Sequence, residues 1–202
     1  TSDKIVVGAF SDNDNGSNSG SVYVFDANDL SAQPTKLTAF DGAANDSFGR
    51  TISATADKIV VGAYGHDSNS GAVYVFDAND LSAQPTKLSE GEAYDHFGES
   101  VAATADKVIV GTPLDDGHGS NDGAVYVYDA NDLSAQPTKL TAFDGGGGDM
   151  FGQYVFATND KIFVSAYYGG QEFGSVYVYD ANDLSAQPTK LTPSDGVTSG
   201  QF

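Results

Sequence analysis

Residues 26–37 read DANDLSAQPTKL, and the same letters return unchanged further along the chain. The copies begin at Asp26, Asp77, Asp129 and Asp180, so they are 51, 52 and 51 residues apart. Self-similarity at a fixed period of this length indicates a repeat architecture, in which each unit buries its apolar surfaces against its neighbours. The sequence therefore predicts a tandem array of four units.

Each unit contains four short runs of β-branched and aromatic residues, separated by Gly, Asn, Asp, Ser and Pro. In the second unit these runs are FGRTISAT from Phe48, KIVVGA from Lys58, AVYVF from Ala72 and PTKLS from Pro85. Such runs are typical of strands bounded by turns. No segment shows a helical apolar stripe of useful length. Each unit is therefore predicted to be a four-stranded sheet.

The strand faces predict how the sheets are arranged. In AVYVF both faces are apolar, with Val73 and Val75 on one and Tyr74 and Phe76 on the other. Strands that are apolar on both faces indicate sheets stacked against sheets. The PTKL strand carries a proline and a lysine, which are usual on exposed sheet edges, so we predict that it is outermost. The eight lysines fall at two repeat positions and are interpreted as scaffold residues.

The predicted fold class is all-β: a β-propeller of about four four-stranded antiparallel blades. A segment of a larger propeller or array, and a linear β-solenoid, are the alternatives. We predict a single domain over residues 1–202, with repeats at about 1–47, 48–96, 97–150 and 151–202. The first repeat lacks its FG strand, and Phe202 stands where a further FG would begin. These ends predict a piece of a longer array or closure with a second chain.

The FG pairs that begin at Phe48, Phe97 and Phe151, followed about a dozen residues later by VGA or GTP, resemble the FG-GAP repeat. That repeat builds the propeller head of integrin α subunits and occurs in many secreted microbial and algal proteins, to which this variant is most similar. The resemblance implies a non-enzymatic interaction or adhesion module with an extracellular or cell-surface location. The integrin-type calcium loop is not implied, because the corresponding connection at residues 55–58 is a tight turn.

Composition excludes several classes of function. The chain has 28 acidic and 9 basic residues, which gives a formal net charge of −19. This charge argues against nucleic acid, whose phosphates require Lys and Arg, and against an anionic membrane surface. No apolar run approaches the length that spans a membrane, so no membrane insertion is expected. Cysteine is absent, which excludes disulfides, thiol catalysis and zinc-thiolate sites.

The connections between the second and third strands differ most among the units, and variable loops on a constant scaffold are where binding usually resides. Their candidate oxygen ligands are Asp12, Asp14 and Asn15 in the first unit, and Asp115, Asp116 and Asp122 in the third. Calcium takes about six to eight oxygen ligands in irregular geometry, so these loops predict a calcium site. The alternative is that the same residues are ordinary turn formers.

Aromatic side chains in the variable segments are candidates for ligand binding. Tyr64, Tyr94, Tyr167 and Tyr168 could form sugar platforms, because each combines an apolar face with a hydroxyl group. The alternative is that they cap the ends of the blades. The three histidines occupy non-equivalent repeat positions, and no catalytic motif stands out.

The leading hypothesis for function is binding of a protein partner, or adhesion, through the variable loops. A self-assembling fibre or sheath and a calcium-dependent glycan-binding lectin are the alternatives.

Two acidic positions are instead expected to be structural. Asp46, Asp95 and Asp149 each precede an FG pair by two residues, and we predict that they fix the inter-blade turns through backbone N–H groups. The repeated DAND segment is predicted to form an Asx-type turn.

Overall fold

The computed structural model describes residues 3–117, 120–167 and 174–193. Within these residues the chain forms four antiparallel sheets, which we call blades 1 to 4. Blade 1 contains β1 (Lys4–Ala9), β2 (Ser21–Asp26) and β3 (Thr35–Leu37). Blade 2 contains β4 (Thr51–Ala54), β5 (Lys58–Ala63), β6 (Ala72–Asp77) and β7 (Thr86–Leu88), with a short helical turn, α1 (His66–Asn69), between β5 and β6. Blade 3 contains β8 (Ser100–Ala103), β9 (Lys107–Thr112), β10 (Ala124–Asp129) and β11 (Thr138–Leu140). Blade 4 contains β12 (Phe151–Ala157), β13 (Lys161–Ala166), β14 (Ser175–Asp180) and β15 (Thr189–Leu191).

The strands of each blade pair in chain order, as in β4-β5-β6-β7. The short TKL strand therefore lies at one edge of every sheet, which confirms the prediction that it is outermost. Contacts between the inner strands β1, β4, β8 and β12 join each blade to the next, and the described sheets do not close into a ring. The fold is an all-β, open propeller. The fourth repeat, predicted at 151–202, extends beyond the described residues.

Both faces of the inner blades, 2 and 3, pack against other blades, as the strand pattern predicted. In blade 2, Tyr74 and Phe76 belong to a cluster shared with blade 1, whereas Val73 and Val75 belong to a cluster shared with blade 3. The same alternation places Tyr177 and Tyr179 of blade 4 against blade 3. Each junction between blades is thus a separate hydrophobic core, and burial of this apolar area is the main force holding the blades together.

The predicted acidic turns are confirmed. The side chains of Asp46 and Asp95 accept hydrogen bonds from backbone N–H groups three residues earlier, at 2.9 and 2.7 Å, and Asp149 does the same at 2.8 Å. In each DAND segment the first aspartate accepts a bond from the N–H two residues later, as Asp26 does from Asn28 at 2.8 Å. These bonds satisfy backbone donors that the turns leave without sheet partners.

The connections divide into two ends of the propeller. At one end, the turn that follows the VYV strand bonds to the turn that precedes the inner neighbour of that strand in the same blade, as Ala27 N–H does to Asp3 O at 2.9 Å. The DAND segments lie here, and we call this the turn end. At the opposite end, the loops between the second and third strands from the blade centre bond to the inter-blade turns, as Asn45 N–H does to Ser17 O at 2.8 Å. We call this the loop end.

Candidate functional site

The loop end carries the variable connections, and a repeated Lys–Tyr–Asp cluster organises it. In every blade the lysine of the outermost strand lies opposite the tyrosine of the neighbouring VYV strand. Its Nζ also lies over the tyrosine ring, at 5.2 to 5.9 Å from the ring centroid. The pairs are Lys36 with Tyr23, Lys87 with Tyr74, Lys139 with Tyr126, and Lys190 with Tyr177. One aspartate completes each cluster: its carboxylate accepts a hydrogen bond from the tyrosine hydroxyl and pairs with the lysine ammonium group.

The aspartate comes from two different places in the sequence. In blades 1 and 3 it is Asp12 or Asp115, from the loop of the same blade. In blades 2 and 4 it is Asp41 or Asp144, from the turn that leads in from the preceding blade. A tyrosine hydroxyl that is largely buried needs an acceptor, and an ammonium near it needs a counter-charge. An aspartate from either place provides both the hydrogen-bond acceptor for the tyrosine and the counter-charge for the lysine.

These contacts shift the ionisation of the acidic groups. The hydrogen bond from Lys36, followed by those from Ser21 and Tyr23, lowers the pKa of Asp12 far below its usual range. For Asp41, burial opposes ionisation, but hydrogen bonds from Lys87 and Tyr74 outweigh it and lower the pKa. The pKa of Asp144 is lowered in the same way. The clusters of blades 1, 2 and 4 therefore favour ionised carboxylates.

The predicted calcium ligands of the first loop are engaged with the chain itself. Lys36 forms ion pairs with Asp12 at 2.9 Å and with Asp14. The amide nitrogen of Asn15 donates to the carbonyl oxygen of Ala39 at 3.3 Å. A cation would have to displace the Lys36 ammonium group to reach both carboxylates. Among the described residues no three His, Asp or Glu side chains form a group that could hold a metal ion. Calcium binding remains a prediction from the sequence.

The three predicted calcium ligands of the third loop make separate contacts. Asp115 is bound by Lys139 at 2.8 and 2.9 Å, and Asp116 accepts from the backbone N–H of Asn121 at 2.7 Å. Asp122 is buried within the loop. Asp115 and Asp116 face a cavity of about 260 Å³ at the junction of blades 2 and 3.

That cavity, which we call the acidic pocket, has an unbalanced charge. Its ionisable lining residues are Glu90, Glu92, Asp95, Asp115, Asp116, Tyr126 and Lys139. Five carboxyl groups thus face one ammonium group. Burial raises the pKa of Asp95, and the nearby charges of Asp115, Glu92 and Asp116 add to the effect, although a hydrogen bond from the Glu92 backbone opposes it. The pocket therefore favours a positively charged group.

The four tyrosines predicted as ligand platforms lie in different surroundings. The Tyr64 ring lies 5.1 Å from that of His96, and the Arg50 guanidinium lies over the Tyr64 ring at 5.2 Å. Tyr94 is exposed on the turn between blades 2 and 3. Tyr167 is half-buried at the end of blade 4, and Tyr168 lies outside the described residues. The structure thus places Tyr64 in a row with Arg50 and His96 and does not show a platform that joins the four tyrosines.

A histidine network at blade 2 could not be recognised from spacing. The His66 Nδ1 lies 2.8 Å from the Asp46 carboxylate, and its Nε2 lies 2.8 Å from Lys87 Nζ. An ammonium group can only donate, so Nε2 accepts from Lys87 and Nδ1–H donates to Asp46. This arrangement fixes the neutral tautomer and uses both ring nitrogens in structural bonds. Only the fold brings Asp46, 20 residues earlier, beside His66.

The free energy of unfolding is expected to fall as the pH drops below about 4. Asp12, Asp41 and Asp144 have pKa values lowered from 3.8, so the stability they provide is present above the unfolded value and is lost as the pH falls through the folded values. Asp95 acts in the opposite direction, because its pKa is raised. Urea titrations between about pH 6 and about pH 2 measure the slope.

Two variants identify the source of that slope. Asp41→Asn removes one of the lowered groups, and Asp144→Asn removes its counterpart in blade 4. Each variant should lose less stability on acidification than the native chain. Acid titration curves parallel to that of the native chain would contradict the assignment.

The stacked four-stranded sheets define the class of this protein as a β-propeller. The sequence profile of the FG-GAP repeat matches residues 1–25, 32–76, 86–128 and 135–179, so the chain belongs to the FG-GAP repeat family. No curated protein matches it. Among solved structures it is similar to the β-propeller domain of the Trilobed protease from Pyrococcus furiosus, which has an open velcro topology. That likeness has 13% identity and a TM-score of 0.52, over 96% of this chain and 52% of the other. The present chain thus spans about half of that structure, and the likeness concerns the fold alone.

No helix within the described part of the chain is long and apolar enough to cross a membrane.

Proposed function

We propose that this protein is a non-catalytic interaction module that binds a protein partner at its loop end. The observation that carries the proposal is the separation of constant and variable segments. The four identical DANDLSAQ segments lie at the turn end, whereas the described parts of the differing loops of blades 1 to 3 lie together at the other. A scaffold that is uniform on one side and diverse on the other suits recognition by the diverse side.

The charge of the loop end supports a partner with basic side chains. In the acidic pocket, five carboxyl groups face Lys139 alone, and the whole chain carries a net charge of −19. Burial raises the pKa of Asp95, and the charges of nearby carboxylates add to the effect; a Lys or Arg of the partner would offset those charges. Such complementarity increases association rates and selects among partners.

The geometry of His66 supports a structural rather than a catalytic role for that residue. A general base needs a free ring nitrogen near the proton that it removes. His66 instead directs Nε2 at Lys87 and Nδ1 at Asp46. An extracellular or cell-surface setting and adhesion belong to the same proposal, supported by the acidic composition and the family resemblance.

A glycan is the second candidate ligand. The row formed by Arg50, Tyr64 and His96 favours it, because an aromatic face beside hydrogen-bonding groups suits a sugar ring. In this candidate calcium would assist binding, and glycan arrays with and without a chelator test it. Self-assembly into a fibre is the third candidate, supported by the identical surfaces at the turn end.

The test of protein binding uses peptides selected from a random displayed library on the immobilised full chain. We expect the selected peptides to carry Lys or Arg. The double variant Glu92→Gln, Asp116→Asn should weaken their binding about fivefold, because exposed ion pairs contribute about 0.5 kcal/mol each and two are removed.

The matched control is the double variant Asp80→Asn, Asp132→Asn. It makes the same change of charge at the turn end and should leave affinity unchanged, since Asn retains the oxygen that accepts from Ser82 or Ser134. Equal affinity for both double variants, measured by titration calorimetry, would contradict binding at the acidic pocket.

A further inference from the structure

The two ends of the blade array present different faces. We call the side of a blade that is directed toward the start of the array its preceding face, and the opposite side its following face. Inside the array, each following face packs on the preceding face of the next blade. Blade 1 has an uncovered preceding face, and Ile5 and Val7 on it are 43% and 45% exposed. Blade 4 has an uncovered following face, on which Tyr154 and Phe156 are 66% and 62% exposed.

The preceding face of blade 1 has the same character as the faces buried inside the array. By repeat position, Ile5 and Val7 correspond to Val108 and Val110 of blade 3, which are fully buried against blade 2. Phe25 corresponds to Tyr128, which is buried at the same junction. The apolar positions on the described strands of blade 1 follow the pattern that receives another blade, although these strands do not include an FG strand.

The following face of blade 4 departs from that pattern at a position of very close approach. In blades 1 to 3 the second strand carries Gly8, Gly62 and Gly111. A Cβ atom at these positions would lie 1.9, 2.2 and 2.0 Å from the FG glycine carbonyl oxygen of the next blade. Blade 4 has Ser165 there. A following blade at the same distance would bring its carbonyl oxygen to about 2 Å from the Cβ of Ser165, closer than two such atoms can approach.

Two further positions on the inner strand of blade 4 differ. The Thr51 hydroxyl donates to Gly98 O at 3.0 Å, and the Ser100 hydroxyl donates to Gly152 O at 2.8 Å, so small polar residues fit between blades. Tyr154 occupies this position in blade 4. Phe156 likewise stands where blade 2 has Ser53, whose hydroxyl accepts from Ala103 N–H at 3.0 Å. Both aromatic rings fill the space that a next blade requires.

We propose that the array is polar: the preceding face of blade 1 is a docking surface for one more blade of this repeat, and the following face of blade 4 rejects one. The docked blade must carry glycine at the position of Gly62 and small residues at those of Thr51 and Ser53. A second copy of this chain does not supply it head to tail, because among the blades that the structure describes the uncovered following face is that of blade 4, which carries Ser165, Tyr154 and Phe156. This inference does not depend on the proposed function.

The test adds one blade to either end of the full chain. A copy of residues 48–103 placed before Thr1 continues the repeat in phase and also gives blade 1 its FG strand. A copy of residues 49–96 placed after Phe202 continues it at the other end. Hydrogen–deuterium exchange then reports whether the added strands fold against the array.

We expect the strand amides of the blade added before Thr1 to exchange at least about a hundredfold more slowly than those of the blade added after Phe202. The triple variant Tyr154→Thr, Phe156→Ser, Ser165→Gly should restore slow exchange to the blade added after Phe202. Equal protection of the two blades in the native background would overturn the rejection by blade 4. Fast exchange in the blade added before Thr1 would overturn docking on blade 1, and fast exchange in the triple variant would overturn the assignment to these three residues.

Light scattering of the unmodified chain provides a second measurement. We expect no head-to-tail association over a range of concentrations. An oligomer that dissociates on Ile5→Lys and also on Phe156→Lys would place blade 1 against blade 4 of another copy and would overturn the proposal.

Discussion

Replacing Gly62 with alanine is expected to lower the free energy of unfolding by about 3 kcal/mol. The added Cβ would lie 2.2 Å from the Gly98 carbonyl oxygen of blade 3 and 2.3 Å from the Thr51 hydroxyl oxygen. Gly98 is held by its own N–H bond to Gly111 O at 3.0 Å, and its carbonyl oxygen accepts from the Thr51 hydroxyl at 3.0 Å. Neither oxygen can move away alone, so blades 2 and 3 must separate. Separation weakens the whole hydrophobic cluster at that junction.

A loss of stability at Gly62 is informative, because replacing a glycine in a strand with alanine normally raises the free energy of unfolding. Glycine loses more conformational freedom on folding than alanine, so alanine at an open position is neutral or stabilising by about 0.5 kcal/mol. Gly146 is such a position, since nothing lies within 4 Å of a Cβ placed there. Gly146→Ala is therefore the matched control. Urea denaturation of the two variants measures the difference, and similar midpoints would contradict close approach of the blades.

The fold could be predicted from the sequence because its determinants are local or repeated. The alternation of Val73 and Val75 with Tyr74 and Phe76 indicates burial on both faces, and the period of about 50 residues shows that each sheet meets a copy of itself. The role of Gly62 could not be predicted in the same way. In sequence it is one more glycine near a turn, and its constraint is a carbonyl oxygen 36 residues away, at Gly98.

The candidate site was less predictable, because its contacts cross from loop to strand and from blade to blade. Asp12 and Asp14 have the spacing of cation ligands, but the position of Lys36 beside them follows from the pairing of β2 with β3. The Lys–Tyr pair itself follows from strand register. The source of its aspartate does not, since Asp41 reaches Lys87 across 46 residues and between blades.

The clusters also explain how so acidic a chain keeps its blades together. A net charge of −19 repels itself, and it is concentrated in turns and loops. Each outermost strand places one lysine between a tyrosine ring and an aspartate, so the few cations lie where carboxylates approach each other. The acidic pocket is the place where one lysine faces five carboxyl groups. That local imbalance makes it the preferred point for a basic partner.

Replacing Phe97 with alanine is expected to lower the free energy of unfolding by about 3 to 5 kcal/mol. The Phe97 side chain is completely buried in the cluster between blades 2 and 3, with its ring 5.6 Å from that of Tyr126. Its loss leaves a cavity that the paired strands on both sides cannot close. The lost burial of the ring and the remaining cavity therefore both lower the free energy of unfolding.

Phe156→Ala removes the same atoms from an exposed site and provides the comparison. This ring is 62% exposed on the following face of blade 4, and its main neighbour is Phe163. The expected loss is below about 1 kcal/mol, which is the range of strand propensity and partial burial. Urea denaturation measures both variants under the same conditions. A loss for Phe97→Ala no larger than that for Phe156→Ala would mean that packing between blades does not hold the array together.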